Sequence, residues 1–419
     1  MKILLINKFF YIKGGSETYF FGLKKMLQDN GHEVIEFSMK DEKNFKSDYE
    51  KYFVENINYE DSSKVRKIKN ALKLIYSREA YKKLCRLIED TKPDIAHVNL
   101  IYHQLTPSVF HALKKYNIPI VFTAHDYKAI CPNYKLFSNN QICTKCIKGA
   151  FYNCAINKCQ KNSVLFSTLL TIEAYYHKLI RSYDLADCII CPSNFMFEQL
   201  AAGGFDKKKL IYLPNFITND FQSEINIETK LLEADNNTIL YYGRLSREKG
   251  IDLLLDVKKV INRAFILKII GVGPEEARLK QRVERENIKN VRFLGFKKGM
   301  ELAHEIRSSK ATVIPSVWHE VFGLTIIESY STGTPVIGSN LGGIPENIKE
   351  NQTGVIFEYD NIESLKNSIS KMLSIDVKSQ DYLNMVRNCL SFKEKFSQKN
   401  YYEKLVNIYE QLVQNNRES

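Results

Sequence analysis

Glu320-Val321-Phe322-Gly323-Leu324-Thr325-Ile326-Ile327-Glu328 frames a single glycine between two glutamates, and Gly342-Gly343-Ile344-Pro345-Glu346 follows, its own glutamate eighteen residues after the second. Gly323 lets the backbone approach a ligand closely, and it stands where a helix can open with free N–H groups facing that ligand. A helix beginning near Gly323 carries Glu328 more than a turn in and leaves Glu320 in the loop before it. The two carboxylates then address different parts of one ligand. Carboxylates are bidentate acceptors suited to paired sugar hydroxyls. The bland reading is a capped helix bearing an ordinary exposed glutamate.

A second stretch stands upstream, Tyr242-Gly243-Arg244-Leu245-Ser246-Arg247-Glu248-Lys249-Gly250. Thr238–Tyr242 is a β-branched and aromatic run that reads as a strand. Gly243 ends it, and Gly250 precedes the apolar-periodic helix 251–261. Arg244 and Lys249 therefore fall on a strand-to-helix loop at the carboxyl end of a sheet, where α/β folds bind ligands. A guanidinium fork beside an ammonium suits a diphosphate whose charge grows as a glycosidic bond breaks.

At the amino terminus, strand 2–7 leads through a loop to Gly14-Gly15-Ser16-Glu17 and a helix closed by Gly31. A lone Gly-Gly is weak evidence, and the spacing is not that of a dinucleotide fingerprint. Together these stretches resemble the retaining glycosyltransferases of family 4. That resemblance implies an α/β chain of GT-B fold, two facing Rossmann-like doubly wound domains with the active site in the cleft between them. It implies that Arg244 and Lys249 stabilise the leaving diphosphate and that Glu320 binds donor-sugar hydroxyls. Gly15, Gly243, Phe322, Gly323 and Leu324 would line the donor, and Glu328 would bind its ribose. His125, ending strand 118–124, would stand near the reacting sugar. Family members hold the base near Phe296-Lys297. Asn340 and Val321 depart from the family, which favours an acidic and a small residue there. No Asp-x-Asp occurs, so no cofactor is required for catalysis.

Length and composition fit this reading. The chain has 419 residues, about twice a comfortable single core. The expected domains are 1–214 on the acceptor side, 215–391 on the donor side, and a tail helix, 392–419, returning to the first. No run reaches the roughly 20 apolar residues of a membrane span, and no signal peptide is evident, so a cytoplasmic location is expected. Residues 1–210 carry 32 Lys+Arg against 21 Asp+Glu, whereas residues 211–419 carry 28 against 27. The densest part, Lys64–Lys92, has helical apolar spacing under a basic face. It is either a patch for an anionic membrane surface, peripheral on the inner face of the plasma membrane, or a helix with its lysines in water.

Residues 126–162 form a Cys-rich insert. Cys143-Thr144-Lys145-Cys146 has zinc-knuckle spacing, and Cys131 and Cys159 complete a candidate structural zinc cage; buried thiols or a redox pair are the alternatives. Cys188 and Cys191, three apart on a strand, read as core thiols.

The expected partners are a UDP- or GDP-sugar donor and a glycan or lipid-linked acceptor, with no nucleic acid. A nucleotide-sugar epimerase of the same fold is one alternative. A nucleic-acid-binding protein is another, but the basic residues are not interleaved with aromatics in one stripe.

Overall fold

Two βα alternations, each closing on its own parallel sheet, divide the chain. The computed structural model describes residues 1–56, 72–218, 227–261 and 263–418. Unit 1 comprises Met1–Asn139, Cys143–Pro214 and Gln398–Ser419, and unit 2 comprises Asn140–Ile142 and Asn215–Ser397.

In unit 1 the strands are β1 (Lys2–Ile6), β2 (Glu33–Phe37), β3 (Ile95–Val98), β4 (Ile120–Thr123), β5 (Cys188–Cys191) and β6 (Leu210–Tyr212), ordered β2-β1-β3-β4-β5-β6 and all parallel. Strands β3, β4 and β5 are buried throughout, as sheets covered on both faces require. The helices are α1 (Gly15–Asp29), α2 (Arg78–Thr91), α3 (Ser108–Lys115), α4 (Tyr152–Ile156), α5 (Val164–Leu179) and α6 (Asn194–Ala202). Chain order reverses between β1 and β3, so the loops after these strands flank the switch point where such sheets bind ligands.

The terminal helix runs over Gln398–Glu418, starting later than Phe392. The stretch before it is the end of another helix and a 3-10 turn at Lys393–Phe396. Tyr401 and Tyr409 of the terminal helix are buried, their hydroxyls bonded to the Tyr19 hydroxyl and to His97 Nδ1, both at 2.5 Å.

Of the expected basic helix Lys64–Lys92, residues 57–71 lie outside the described residues. The described part is interrupted at Ser77, whose Oγ accepts from Ala80 N at 3.2 Å and starts α2 afresh. Leu84, Leu87 and Ile88 of α2 are buried, and Lys83 Nζ donates to Phe53 O at 2.6 Å and pairs with Glu79 at 3.2 Å. The apolar stripe of this helix is spent on the core.

Unit 2 holds β7 (Asp235–Tyr242), β8 (Ile266–Ile270), β9 (Val291–Phe293), β10 (Ser309–Ile314), β11 (Val336–Ser339) and β12 (Gly354–Phe357), ordered β9-β8-β7-β10-β11-β12 and parallel throughout. Its helices are α7 (Ile227–Glu233), α8 (Ile251–Val260), α9 (Glu276–Arg285), α10 (Gly299–Ser308), α11 (Leu324–Ser331), α12 (Ile362–Ser374) and α13 (Gln380–Phe392). One core, including Ile239, Leu254, Leu267 and Ile369, packs one side of the sheet; another, including Leu240, Ile326, Tyr330 and Ile344, packs the other.

Before β7 stands the helix α7. Its Lys230 is fully buried because Nζ donates to Arg307 O at 2.7 Å, Ser309 O at 2.6 Å and Thr334 Oγ1 at 2.9 Å. Here the sheet order reverses between β7 and β10, so the loops 243–250 and 315–323 flank the switch point of unit 2.

Candidate active site

The two donor-side motifs are neighbours because β7 and β10 are. After β7 the backbone turns at Gly243, φ +145°, and a 3-10 turn over Arg247–Lys249 ends at Gly250, φ +71°. A Cβ at Gly250 would stand 1.7 Å from the Pro315 carbonyl oxygen, so only glycine lets the Lys249 loop close against the loop after β10. That closure brings Lys249 Nζ within 2.6 Å of Glu320 Oε1, over the Trp318 ring at 5.2 Å.

Glu320 Oε1 accepts two further bonds, from Ser316 Oγ at 2.6 Å and Trp318 Nε1 at 2.9 Å. Burial works to raise this carboxyl, but Lys249 and the three donors outweigh it and hold the group below its ordinary range. It is therefore an anion. All three bonds fall on Oε1. Oε2 has no partner among the described residues.

The backbone of Glu320 is fixed as firmly. Gly343 N donates to Glu320 O at 2.7 Å, and a Cβ at Gly342 would sit 2.2 Å from the same oxygen. The Gly342-Gly343 motif is thus a clamp on Glu320. Asn347 Nδ2 continues it by donating to Phe322 O at 2.8 Å and Gly343 O at 3.2 Å.

Gly323, φ +86°, opens α11 with no side chain capping it, and among the first-turn amides Ile326 N bonds Gly323 O at 2.9 Å. Glu328 lies in the second turn of α11, and burial pushes its carboxyl up to about 7 against a smaller opposing effect of the Tyr242 hydroxyl. That hydroxyl donates to Thr325 O at 2.5 Å and meets Ser329 Oγ at 3.1 Å, tying β7 to α11. Arg244 is exposed on the same loop as Lys249, and Tyr241 Oη donates to its carbonyl at 2.8 Å. Gly273 has a packing role: a Cβ there would lie 2.2 Å from Leu245 O.

In unit 1, Gly15 is the first residue of α1, whose start has no side-chain cap. His125 follows β4, and its Nε2 is 2.8 Å from Asn99 Oδ1. An amide oxygen only accepts, so Nε2 carries the proton and Nδ1 is the acceptor. Burial lowers this imidazole to about 3, so it is neutral at physiological pH and can accept a hydrogen bond from a hydroxyl.

Around it the loops after β1, β3 and β4 assemble groups that the sequence reading missed. Tyr102 Oη donates to Asp126, which burial pushes up to about 6, and Lys128 Nζ pairs with the buried Glu173 at 2.7 Å. Lys8 lies over the rings of Phe9 and Tyr102, at 4.7 Å and 5.8 Å, and burial lowers it to about 8. Only the tertiary fold joins residues so far apart in sequence. The signal for Ser316 and Trp318 was present, since both lie within four residues of Glu320.

Residues 13–221 match the family described as Glycosyltransferase Family 4, and residues 222–388 match Glycosyl transferases group 1. The chain belongs to glycosyltransferase family 4. This family 4 transferase is 24% identical over 413 residues to the Uncharacterized glycosyltransferase MJ1178 of Methanocaldococcus jannaschii, covering 98% of this chain and 99% of that protein. It is also 24% identical to an Uncharacterized 42.6 kDa protein in cps region of Klebsiella pneumoniae, covering 92% and 100%. Among solved structures it resembles Anabaena Alr3699/HepE in complex with UDP, at TM-score 0.68, 16% identity, and 98% and 100% coverage. The fold is GT-B.

The four cysteines of the expected zinc cage lie near one another in the transferase, since the charges of Cys131, Cys143 and Cys159 all act on Cys146. Among the described residues no three His, Cys, Asp or Glu side chains are placed to hold a metal ion. Cys131 Sγ instead donates to Asn133 Oδ1 at 3.0 Å, while Cys146 and Cys154 are buried with Leu74, Phe151 and Leu170. Burial pushes Cys131 up to about 11 and Cys146 up to about 12, keeping both as neutral thiols. Cys154, left over in the sequence assignment, is hydrogen-bonded to Cys159 and draws it down to about 6. Cys188 and Cys191 are buried core thiols.

Proposed function

We propose that this transferase moves a hexose from a UDP- or GDP-sugar, with retention of anomeric configuration, to a glycan or lipid-linked acceptor. The setting would be surface-polysaccharide synthesis, capsule, O-antigen or exopolysaccharide, at the inner face of the plasma membrane. The observation that carries the reading is the Glu320 carboxylate, ionised by three donors on one oxygen with the other oxygen left open. In this reading Oε2 takes donor-sugar hydroxyls, and Arg244 and Lys249 receive the diphosphate. The amides of Phe322, Gly323 and Leu324 face the sugar and phosphate, Glu328 takes the ribose, and the exposed Phe296 offers a face to the base.

As the glycosidic bond breaks, negative charge builds on the diphosphate, and cations fixed beforehand stabilise it without reorganisation. The leaving phosphate then helps deprotonate the incoming hydroxyl on the same face of the sugar. In unit 1, Gly15 would offer its amide to a donor phosphate, and His125 would serve as a neutral hydrogen-bond acceptor. The reading also draws on the UDP and UDP-glucose bound to Anabaena Alr3699/HepE and on the cps region of the Klebsiella relative.

A thermal-shift panel of nucleotide sugars identifies the donor. With it, Arg244→Ala should lower kcat by about a hundredfold or more at unchanged melting temperature. A variant with near-normal kcat removes Arg244 from the leaving group.

A further inference from the structure

Helix α5 is built inside out. Its buried face consists largely of polar side chains, with Ser167, Thr171, Glu173 and His177 all under 9% exposed. Its solvent face is apolar: Leu165 is 77% exposed, Phe166 43%, Ile172 51% and Leu179 82%. Residues 165, 172, 176 and 179 recur at helical spacing, so the exposed side chains form one stripe along a helix roughly 24 Å long. A helix in a water-soluble surface normally shows the reverse arrangement.

The inversion is held from inside. Glu173 pairs with Lys128 at 2.7 Å, His177 bonds Ile75 O at 2.7 Å and Ser182 Oγ at 2.8 Å, and Thr171 Oγ1 donates to Phe151 O at 3.2 Å. These bonds fix which face looks outward. The short helix α4 beside it adds Tyr152 and Ile156, 53% and 68% exposed. Nine of the twenty large apolar side chains exposed among the described residues fall within residues 152–179, a concentration that marks a docking surface rather than scattered exposure.

Charge says what docks. Residues 127–181 contain eight Lys or Arg and one acidic residue, Glu173, which is buried. Lys145, Lys148, Lys158, Lys161 and Lys178 are exposed around the stripe, Lys161 lying over the Phe166 ring at 5.5 Å and Lys178 over Phe151 at 5.6 Å. A second copy of the chain would bring two such fields together and be repelled. An anionic bilayer complements both features, taking the apolar side chains below its headgroups and the lysines among its phosphates.

We infer that the outer face of α5, with α4 and the lysines of the Cys-rich insert, is a membrane-docking surface that lies in the interface of an anionic leaflet without crossing it. No described helix is long and apolar enough to cross a membrane. This surface is distinct from the Lys64–Lys92 stretch and does not depend on the acceptor being a lipid.

Vesicle co-sedimentation of the full chain tests it. Phosphatidylglycerol vesicles should pellet the protein and phosphatidylcholine vesicles should not, with binding weakened by salt over a screening length of roughly 10 Å. Combined Leu165→Ser, Phe166→Ser and Leu179→Ser should reduce binding about tenfold or more at unchanged donor affinity, and each lysine changed to glutamine roughly fivefold. Hydrogen exchange on the wild type needs no variant, and residues 164–179 should gain protection on vesicles. Absence of binding to anionic vesicles, undiminished binding by the triple variant, or binding with no protection at 164–179 would each overturn the inference. So would concentration-dependent dimers that the triple variant dissolves, which would assign the stripe to a second copy.

Discussion

Glu320 and Glu328 show how one residue type is set to two states by surroundings eight residues apart. Three donors hold Glu320 ionised, whereas Glu328, half-buried on α11 with only a hydroxyl nearby, is pushed up to about 7. The sign of the consequence for Glu328 follows. A carboxyl whose folded value lies above its unfolded one favours the folded state when protonated, so its contribution is full below the unfolded value and is lost as pH rises through about 7. Glu328→Gln cannot ionise, so its melting temperature relative to wild type should climb between pH 5 and pH 8, by an amount equivalent to about 2 kcal/mol. Ribose hydroxyls donate best to the ionised form. Wild-type affinity for the nucleoside diphosphate should therefore rise over pH 6 to 8, and the variant should bind more weakly with no such rise. Calorimetry across that range checks both. A wild-type affinity independent of pH would separate Glu328 from the ribose.

At the scale of elements, the site depends on loops made compatible by glycine. Gly250→Ala places a methyl 1.7 Å from Pro315 O in a left-handed conformation, so the Lys249 loop or the Ser316 loop must move. We expect a loss of about 3 kcal/mol in urea unfolding and a matching loss of donor binding. A stable variant with normal affinity would show that loop closure is not what positions Lys249.

These elements were legible in sequence because apolar runs, glycine stops and helical periods alternate regularly. Gly323 opening a helix and Glu328 a turn inside it could be read from spacing alone. The inversion of α5 could not, since a run of apolar residues does not say which face is covered when its partners are a distant Lys128 and Ile75. The break at Ser77 was missed for another reason. The apolar period continues across it, and only the serine oxygen turning to Ala80 N restarts the helix. The cysteine spacing fits a cage, but spacing alone does not show that Cys131 Sγ donates to Asn133 Oδ1.

Across the whole molecule, charge and chemistry are divided between the two units. The excess of basic residues lies in the first half of the chain, with the proposed docking surface, while the groups proposed to bind the diphosphate and the sugar belong to unit 2. Such a division suits an enzyme that takes a soluble donor and delivers to an acceptor at a surface. Its central claim is that Glu320, held by Lys249, Ser316 and Trp318, binds the donor sugar for transfer. The most direct measurement is acceptor-dependent release of nucleoside diphosphate from the identified donor, compared between wild type and Glu320→Gln. The account predicts release only when acceptor is present, a fall in kcat of about a hundredfold in the variant, and nucleotide affinity changed far less. Donor converted to an isomer without release, or a variant that releases nucleotide at the wild-type rate, would contradict it.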